Sequence, residues 1–244
     1  MTPSRTDRKI RPRALVTGGA VRVGRAVALA LADAGFDVAI AFHRSTADAR
    51  RTVNELGGRG AAARAIRADL REPRAATRVV AEAARALGGL DVLVNSAALF
   101  YRTPLATATP AQWDALLALN LRAAFFCTQA AAPHMREGGH VVNVGDVMAW
   151  HAPAGWSAYA ASKAGLEALT RALAHELRAA RIAVNCVAPG PVLKPDRLPA
   201  ARWRAITRGR AVSLDDLIAA VVFFATCPAS ITGQVLAVDG GEPM

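Results

Sequence analysis

The chain has 244 residues, of which 53% are hydrophobic and only 5% aromatic, and it carries a formal net charge of +11. This length fits one large domain with a substantial core, and abundant alanine with few aromatics suits helices packed on a sheet. No continuous apolar run reaches the ~18 residues that span a bilayer, and the basic start of the chain lacks the apolar middle of a secretion signal, so we expect a cytoplasmic protein without a membrane segment.

Cysteines and charge bear on metals and partners. Cys127, Cys186 and Cys227 lie in apolar surroundings without metal-ligand spacing, so we expect reduced core thiols and no metal. The positive charge comes almost entirely from arginines spread along the chain, which fits nucleic acid, an anionic cofactor and substrate, or a genome rich in Ala and Arg codons. Because no nucleic-acid motif accompanies the charge, we expect no nucleic-acid partner.

The first element is a phosphate-binding pattern. Ala14–Thr17 predicts a short apolar strand, a glycine turn follows, and a helix is expected from Arg22 to Ala34. The turn has the spacing T-G-x-x-x-R-x-G, from Thr17 to Gly24. Glycines let the backbone approach a ligand, and the free N–H groups at a helix start favour an anion. The pattern therefore predicts a site for dinucleotide phosphates.

The second strand bears on cofactor choice. Asp37–Phe42 predicts this strand, and His43, Arg44 and Ser45 follow it. An acidic residue here would bind a ribose 2′-hydroxyl and indicate NAD. A guanidinium beside a hydroxyl instead suits a 2′-phosphate, so we predict NADPH rather than a merely solvated loop arginine. Ser45 is also expected to cap the next helix.

Two further strands end in candidate ligand contacts. After a third strand, about Ala61–Ile66, Asp69 is predicted either to hydrogen-bond the adenine edge or to cap the next helix. Leu90–Val94 predicts a largely apolar central strand, with Asn95–Ala97 at the carboxyl end where such sheets bind ligands. Phe100 and its neighbour Tyr101 form an aromatic pair in the loop that follows, and one of them could stack on a flat ring.

The middle of the chain predicts a long helix and a fifth strand. The helix is expected over Pro110–Met135, with a bend near Asn120, and the strand over His140–Val144. Asn120 lies between apolar turns, so it is either a satisfied buried amide or part of a proton path.

The stretch from Asp146 to Lys163 carries the proposed chemistry. Tyr159 precedes Lys163 by four residues and follows Asp146 by thirteen. Helix formers and apolar residues at helical spacing predict a helix from Ala158 to about Ala180, which places Tyr159 and Lys163 on one face. A cation beside a phenol lowers its pKa from ~10, so this pair can exchange a proton near pH 7.

The remaining elements complete the fold prediction. Ile182–Val187 predicts a sixth strand, Ser213–Thr226 a helix and Gln234–Val238 a last strand. Seven strands alternating with helices predict an α/β fold with a doubly wound, seven-stranded parallel sheet of the Rossmann type. We expect a flexible basic tail over residues 1–11 and one domain over residues 12–244 that holds the dinucleotide and substrate sites.

These motifs, together with Pro189-Gly190 and the terminal I-T-G-Q-V-L-A-V-D-G-G, resemble the short-chain dehydrogenase/reductase family over residues 12–241. The resemblance implies that Tyr159 donates the proton, that Lys163 binds ribose and lowers the tyrosine pKa, and that Asn120 holds a relay water. It also implies a homotetramer built partly on the helices that carry Asn120 and Tyr159. The cofactor contacts expected from motifs and resemblance are Gly18, Arg22, Val23, Gly24, His43, Arg44, Ser45, Asp69, Leu70, Asn95, Ser96, Ala97, Tyr159, Lys163, Pro189, Gly190 and Val192.

Two departures from the family pattern resemble its pteridine reductase branch. Asp146 stands where a serine is usual, and Arg22 replaces the middle glycine of the first turn. In that branch Arg22 would contact phosphates and the pterin, Phe100 would stack on the pterin ring, and Asp146 would pair with Tyr159. The chemistry agrees, because a ring C=N must gain a proton at nitrogen, and a buried carboxyl can relay one.

Three functions follow as alternatives. The leading one is NADPH-dependent reduction of a pterin or dihydrofolate-like ring, with Asp146, Tyr159, Lys163 and Asn120 as catalytic residues. The second is a general carbonyl reductase for a ketone, 3-oxoacyl or sugar substrate. The third is a catalytically silent NADPH-binding protein. A site that has lost its usual serine, and its activity with it, would fit this alternative.

The sequence does not determine the conformation of the region that covers the substrate. The segment over residues 191–212 should cover the substrate and is short for the branch. Trp203 within it either lines the pocket or anchors the loop. Ser96 replaces the usual second asparagine after the fourth strand, which makes that turn less tightly specified.

Overall fold

The computed structural model describes residues 11–194, 198–207 and 211–241. The predicted tail, apart from Arg11, and parts of the segment over residues 191–212 lie outside the described residues. Cys127, Cys186 and Cys227 are free and buried, as expected of core thiols. Burial raises the pKa of both Cys127 and Cys186 to about 12.

A single seven-stranded sheet organises the described residues, and every pair of neighbouring strands is parallel. The strands are β1 Arg13–Thr17, β2 Asp37–Phe42, β3 Ala63–Arg67, β4 Leu90–Asn95, β5 Met135–Val144, β6 Ala183–Pro189 and β7 Val235–Val238. Their order is β3-β2-β1-β4-β5-β6-β7. The winding reverses between β1 and β4, which opens a crevice at the carboxyl ends of these strands. The predicted fold class is confirmed.

Helices cover both faces of the sheet. They are α1 Arg22–Asp33, α2 Thr46–Gly58, α3 Ala75–Leu87, α4 Pro110–Leu117, α5 Ala123–Ala131, α6 Ser157–Glu176, α7 Ala200–Thr207 and α8 Leu214–Thr226. Apolar residues of α1, α2 and α8 form one core cluster with the sheet. Residues of α3, α5 and α6 form a second cluster on the opposite face. This two-sided burial explains why the strands are apolar along both faces.

The helical run Pro110–His134 contains an interruption at the predicted position. Ala118–Arg122 form a π-helical turn between α4 and α5, with Asn120 at its centre. By length and mean hydropathy alone the run could cross a membrane, with a hydropathy of 1.3 and 44% of the window buried. In the fold, however, α5 packs on α3 and the π turn packs on α6, as expected of a core helix in a layered domain.

Candidate active site

The glycine turn between β1 and α1 brings backbone close to backbone. Gly18 has φ +68°, and a Cβ there would lie 2.9 Å from Cα of Ala97. A Cβ on Gly24 would lie 2.3 Å from the carbonyl oxygen of Gly18. Val21, at the N-cap of α1, provides no side-chain cap. The first N–H groups of α1 therefore face the turn without a side-chain acceptor, as an anion site requires.

Arg22 joins this turn to the segment after β6. Its φ of +51° is left-handed, a conformation that costs an L residue ~1–2 kcal/mol and is tolerated mainly at functional positions. Its Nη2 donates to the carbonyl oxygen of Leu193 at 3.1 Å. The guanidinium of Arg22 thus lies between the phosphate turn and the segment expected to cover the substrate.

The carboxyl ends of β2 and β3 carry the residues predicted to select the cofactor. Arg44 is exposed, and His43 Nε2 lies 3.7 Å from Asp69 Oδ2. The Asp69 carboxylate accepts from the backbone N–H of Arg71 at 3.0 Å and from its Nη2 at 2.6 Å. Chiefly because of that guanidinium, the pKa of Asp69 falls to about 2. The basic side chains and the ionised Asp69 therefore share this edge.

The two capping predictions have different outcomes: Ser45 is the N-cap of α2, whereas Asp69 does not cap α3. The N-cap position of α3 is Arg74 rather than Asp69, because Asp69 is already held by Arg71. Ser45 does occupy the N-cap position of α2, but its side chain makes no capping hydrogen bond.

The carboxyl ends of β1 and β4 meet at the crevice. Thr17 Oγ1 accepts from the backbone N–H groups of Ser96 at 3.0 Å and Ala97 at 3.1 Å. Asn95 Nδ2 donates to Asn143 Oδ1 at 2.9 Å, which ties β4 to β5. Leu70 is buried nearby, in the same core cluster that Ala97 packs against. These contacts fix the predicted loop directly opposite Gly18.

Asp146 lies against Tyr159, as predicted. The Tyr159 hydroxyl donates to Asp146 Oδ2 at 2.7 Å. The other carboxyl oxygen, Oδ1, accepts from the backbone N–H of Met148 at 2.8 Å and so caps the short 3₁₀ turn Val147–Ala149. Burial raises the pKa of Asp146 above its ordinary value, although the bonds from Met148 and Tyr159 act in the opposite direction. The carboxyl can therefore hold a proton at higher pH than an exposed aspartic acid.

The predicted effect of Lys163 on Tyr159 is wrong for the chain by itself. Burial, followed by the charge of Asp146 and its hydrogen bond, raises the pKa of Tyr159. Lys163 Nζ donates to the carbonyl oxygen of Val144 at 2.7 Å and lies 5.9 Å from the Tyr159 ring centroid. Burial also lowers the pKa of Lys163 itself. The raised pKa favours the protonated phenol, and burial is its largest cause.

Asn120 is a satisfied buried amide. Its Oδ1 accepts from the backbone N–H of Leu99 at 2.8 Å, and its Nδ2 donates to the carbonyl oxygen of Leu99 and to Ser162 Oγ at 3.1 and 3.0 Å. The side chain therefore fixes the loop that precedes Phe100 against the helix that carries Tyr159. Its role in a proton relay stays a prediction.

Two aromatic rings pack against the ring of Tyr159. Phe100 is 53% exposed, and its ring lies 4.4 Å from that of Trp156 in a stacked arrangement. Phe100 also meets Tyr159 edge-on at 4.9 Å, and Trp156 does so at 5.9 Å. Trp156 was missed by the sequence reasoning, although it stands only three residues before Tyr159. The exposed Phe100 offers an apolar surface beside the hydroxyl, suited to a flat ligand.

The end of β6 closes the site on its far side. Pro189 pairs with Val238 of β7, and the Gly190 N–H donates to the Val238 carbonyl at 2.9 Å. Val192 is half-buried against the core cluster of α1 and α8. Trp203 is half-buried on α7, an element that the sequence did not predict.

Comparisons place the chain among known proteins. A family model for short chain dehydrogenases matches residues 12–202. The subunit BbsD of (2S)-((R)-hydroxy(phenyl)methyl)succinyl-CoA dehydrogenase from Thauera aromatica is 37% identical over 95% of this chain and 96% of its own length. The 3-oxoacyl-(acyl-carrier-protein) reductase FabG from Staphylococcus aureus is 33% identical over 97% of this chain and 100% of its own.

Solved structures agree with the sequence relatives. A short chain dehydrogenase from Burkholderia cenocepacia in complex with NADP is 41% identical and superposes with a TM-score of 0.89, over 94% of this chain and 97% of that one. A blue fluorescent protein from a metagenomic library in complex with NADPH reaches the same TM-score, 0.89, at 37% identity and with the same coverage of 94% and 97%.

Proposed function

This chain belongs to the short-chain dehydrogenase/reductase family, and from that premise we propose that it is an NADPH-dependent reductase of a pterin or dihydrofolate-like ring. The oxidoreductase class follows from the family. The substrate class is carried by one observation, the 2.7 Å hydrogen bond from Tyr159 to the half-buried Asp146. A carboxyl at this point suits protonation of a ring nitrogen better than hydrogen bonding to a carbonyl oxygen, for which the usual serine hydroxyl serves.

NADPH fits the residues at the carboxyl edge of the sheet. The glycine turn leaves no room for a Cβ at Gly24, and the start of α1 lacks a side-chain cap. The exposed Arg44 stands where an acid would select NAD. Two of the solved relatives were obtained with NADP or NADPH. When bound, NADPH supplies the hydride from nicotinamide C4.

The protein's own part in the reaction is to deliver a proton. Tyr159 gives its hydroxyl proton to the substrate nitrogen, and the neighbouring carboxyl of Asp146 returns a proton to the phenolate oxygen. The pKa of each group is raised above its ordinary value, which favours the protonated form that this proposal requires. Lys163, whose Nζ lies 5.9 Å from the Tyr159 ring centroid, offsets part of the phenolate charge between the two transfers without reversing the raised pKa of the phenol.

A second candidate is reduction of a carbonyl, and the relatives favour it. FabG carries the name of a 3-oxoacyl reductase and BbsD that of a succinyl-CoA dehydrogenase, so neither name supports the pteridine branch. Tyr159 and Lys163 would serve such a substrate equally well. Asp146 argues against it, because it replaces the serine whose hydroxyl usually donates a hydrogen bond to the substrate carbonyl oxygen.

One assay separates the candidates. NADPH oxidation is measured with dihydrobiopterin, dihydrofolate, 3-oxoacyl thioesters and a ketone panel at matched concentrations. Turnover confined to the two ring substrates supports the proposal. Turnover confined to the carbonyl compounds replaces it with the second candidate. Tight NADPH binding without any turnover indicates a catalytically silent protein.

We also propose that the protein is a cytoplasmic homotetramer that uses the outer face of α4, α5 and α6. A groove of about 750 Å³ runs along this face, and it is lined largely by apolar side chains, among them Leu117, Leu121, Phe125 and Leu169. A second copy of the same face would cover it. Sedimentation of the wild type and of Leu169→Glu tests this: a tetramer that dissociates in the variant supports it, and a monomeric wild type refutes it.

A further inference from the structure

The buried Glu167 and the half-buried Trp150 form a hydrogen-bonded pair that the proposed mechanism does not use. The indole N–H of Trp150 donates to Glu167 Oε2 at 2.9 Å. Glu167 is only 4% exposed, and its Oε1 is buried with no hydrogen-bond partner among the described residues. Burial raises the pKa of this carboxyl. A buried acid bonded through one oxygen is costly, so the contact needs a reason beyond core packing.

Trp150 closes the turn that Asp146 begins. The backbone N–H of Ala149 donates to the Asp146 carbonyl at 3.0 Å, and that of Trp150 donates to the Val147 carbonyl at 3.0 Å. Together with the bond from Met148 to the Asp146 side chain, these contacts make the stretch from Asp146 to Trp150 one rigid unit. A displacement at one end is therefore transmitted to the other.

Both ends of this unit are attached to the same helix. Glu167 lies on α6, eight residues after Tyr159 and four after Lys163, so the three side chains share one helix face. Asp146 meets Tyr159 at one end of the unit, and Trp150 meets Glu167 at the other. The second attachment persists when the Tyr159 hydroxyl turns from Asp146 to the substrate.

We propose that Glu167 and Trp150 are positioning residues that keep the Asp146 carboxyl within reach of Tyr159 while the proton is delivered. The inference rests on the proposed role of Asp146 in the reduction. The groups that act electrostatically on Asp146 are Tyr159 and Lys163, and Arg171 acts on Glu167. None of these is altered in the variants below, so a change in the behaviour of Asp146 reports its position.

Three substitutions test whether the hydrogen bond between Trp150 and Glu167, here called the tether, positions Asp146. Trp150→Phe keeps the ring but removes the N–H, Glu167→Leu removes the acceptor, and Glu167→Gln keeps a carbonyl oxygen for the indole. We expect kcat for ring reduction to fall about tenfold in the first two variants, equivalent to one hydrogen bond, with the KM for NADPH within about twofold of wild type. Glu167→Gln should retain activity. Glu176→Leu, the same change at an exposed position of α6, is the matched control.

Two further readouts separate positioning from folding. The double variant Trp150→Phe/Glu167→Leu should lose no more than either single variant, because both remove one contact. The Met148 amide donates to Asp146 Oδ1, so its hydrogen exchange reports the carboxyl without any turnover. It should exchange several-fold faster in Trp150→Phe and Glu167→Leu than in Glu167→Gln, Glu176→Leu or wild type.

The outcomes distinguish this inference from the proposed function. A wild type inactive on every substrate removes the proposed function, while Met148 exchange still shows whether the tether holds Asp146. Unchanged kcat, pH profile and Met148 exchange in Trp150→Phe and Glu167→Leu overturn the tether. Glu167→Gln as impaired as Glu167→Leu overturns it as well, because the acceptor would then not be what matters. If Glu167→Leu fails to fold, Trp150→Phe carries the test alone.

Discussion

Replacement of Asp146 by serine separates ring reduction from carbonyl reduction. A serine hydroxyl is a good N-cap, so it can take over the bond from Met148 and leave the turn Val147–Ala149 in place. It is shorter than the carboxyl and cannot return a proton to Tyr159. The change therefore removes the proton source and leaves the local fold intact.

The size of the effect follows from what remains in the site. Proton transfer by a positioned side chain contributes about 10²–10⁴-fold to a rate. Because Tyr159 still carries its own proton, we expect Asp146→Ser to lower kcat for dihydrobiopterin or dihydrofolate by about 100-fold. The Kd for NADPH should stay within about twofold, since the Asp146 carboxyl contacts Met148 and Tyr159 rather than the phosphate turn. Activity on a ketone should be kept or raised.

Asp146→Asn provides the matched comparison. The amide keeps the shape of the carboxyl and an oxygen that accepts from Tyr159, but it has no acidic proton to return. Steady-state oxidation of NADPH measures kcat in both variants and so includes the return of the proton to Tyr159. If Asp146→Ser or Asp146→Asn reduces the ring substrate as fast as the wild type, Asp146 has no part in proton delivery and the argument from Asp146 to a pterin-like substrate fails.

Three other predictions concern pH, cofactor choice and the phosphate turn. The pKa of Asp146 is higher in the fold than the ~3.9 of the unfolded chain. Between the unfolded and the folded pKa the native state therefore binds more protons than the unfolded state. The free energy of unfolding should fall as pH rises through this window in the wild type but not in Asp146→Asn. The kcat for ring reduction should fall with the same ionisation. Arg44→Ala should reduce the preference for NADPH over NADH in kcat/KM by about tenfold or more, the loss of one charge-assisted contact. Gly24→Ala should lower the unfolding free energy by about 1–3 kcal/mol in chemical denaturation and abolish NADPH binding, since its Cβ would lie 2.3 Å from the Gly18 oxygen.

The strands could be predicted where burial alone determines them. The predicted bounds of β2, Asp37–Phe42, agree with the structure because the four central residues of this strand are apolar and buried on both faces. The prediction for β5 began at His140, whereas the strand begins at Met135. Its first part pairs irregularly, with a register shift between Leu90 and Val92 on β4. Short-range patterns do not encode such a shift, because it depends on the partner strand.

The sequence predicted which residues form the catalytic group, but not the direction of the Tyr159 pKa shift. Spacing on one helix placed Tyr159 beside Lys163, and the family resemblance brought Asp146 to Tyr159, which the 2.7 Å bond confirms. The direction of the Tyr159 pKa shift was wrong, because it depends on burial and on the distance to Asp146. Trp156 was missed for a similar reason: its contact with Phe100 joins two loops that are distant in the sequence.

The pKa directions bear on which way the reaction runs. Alcohol oxidation needs a phenolate that accepts a proton, whereas reduction needs a phenol that gives one. In this chain burial and Asp146 favour the phenol, and Lys163 is committed to the Val144 carbonyl. Asp146, whose own pKa is raised, adds a second proton-holding group beside the phenol, which a serine would not provide. The pair therefore favours its protonated form, which supports a reductase and makes Asp146 the residue that distinguishes this site from a generic alcohol dehydrogenase.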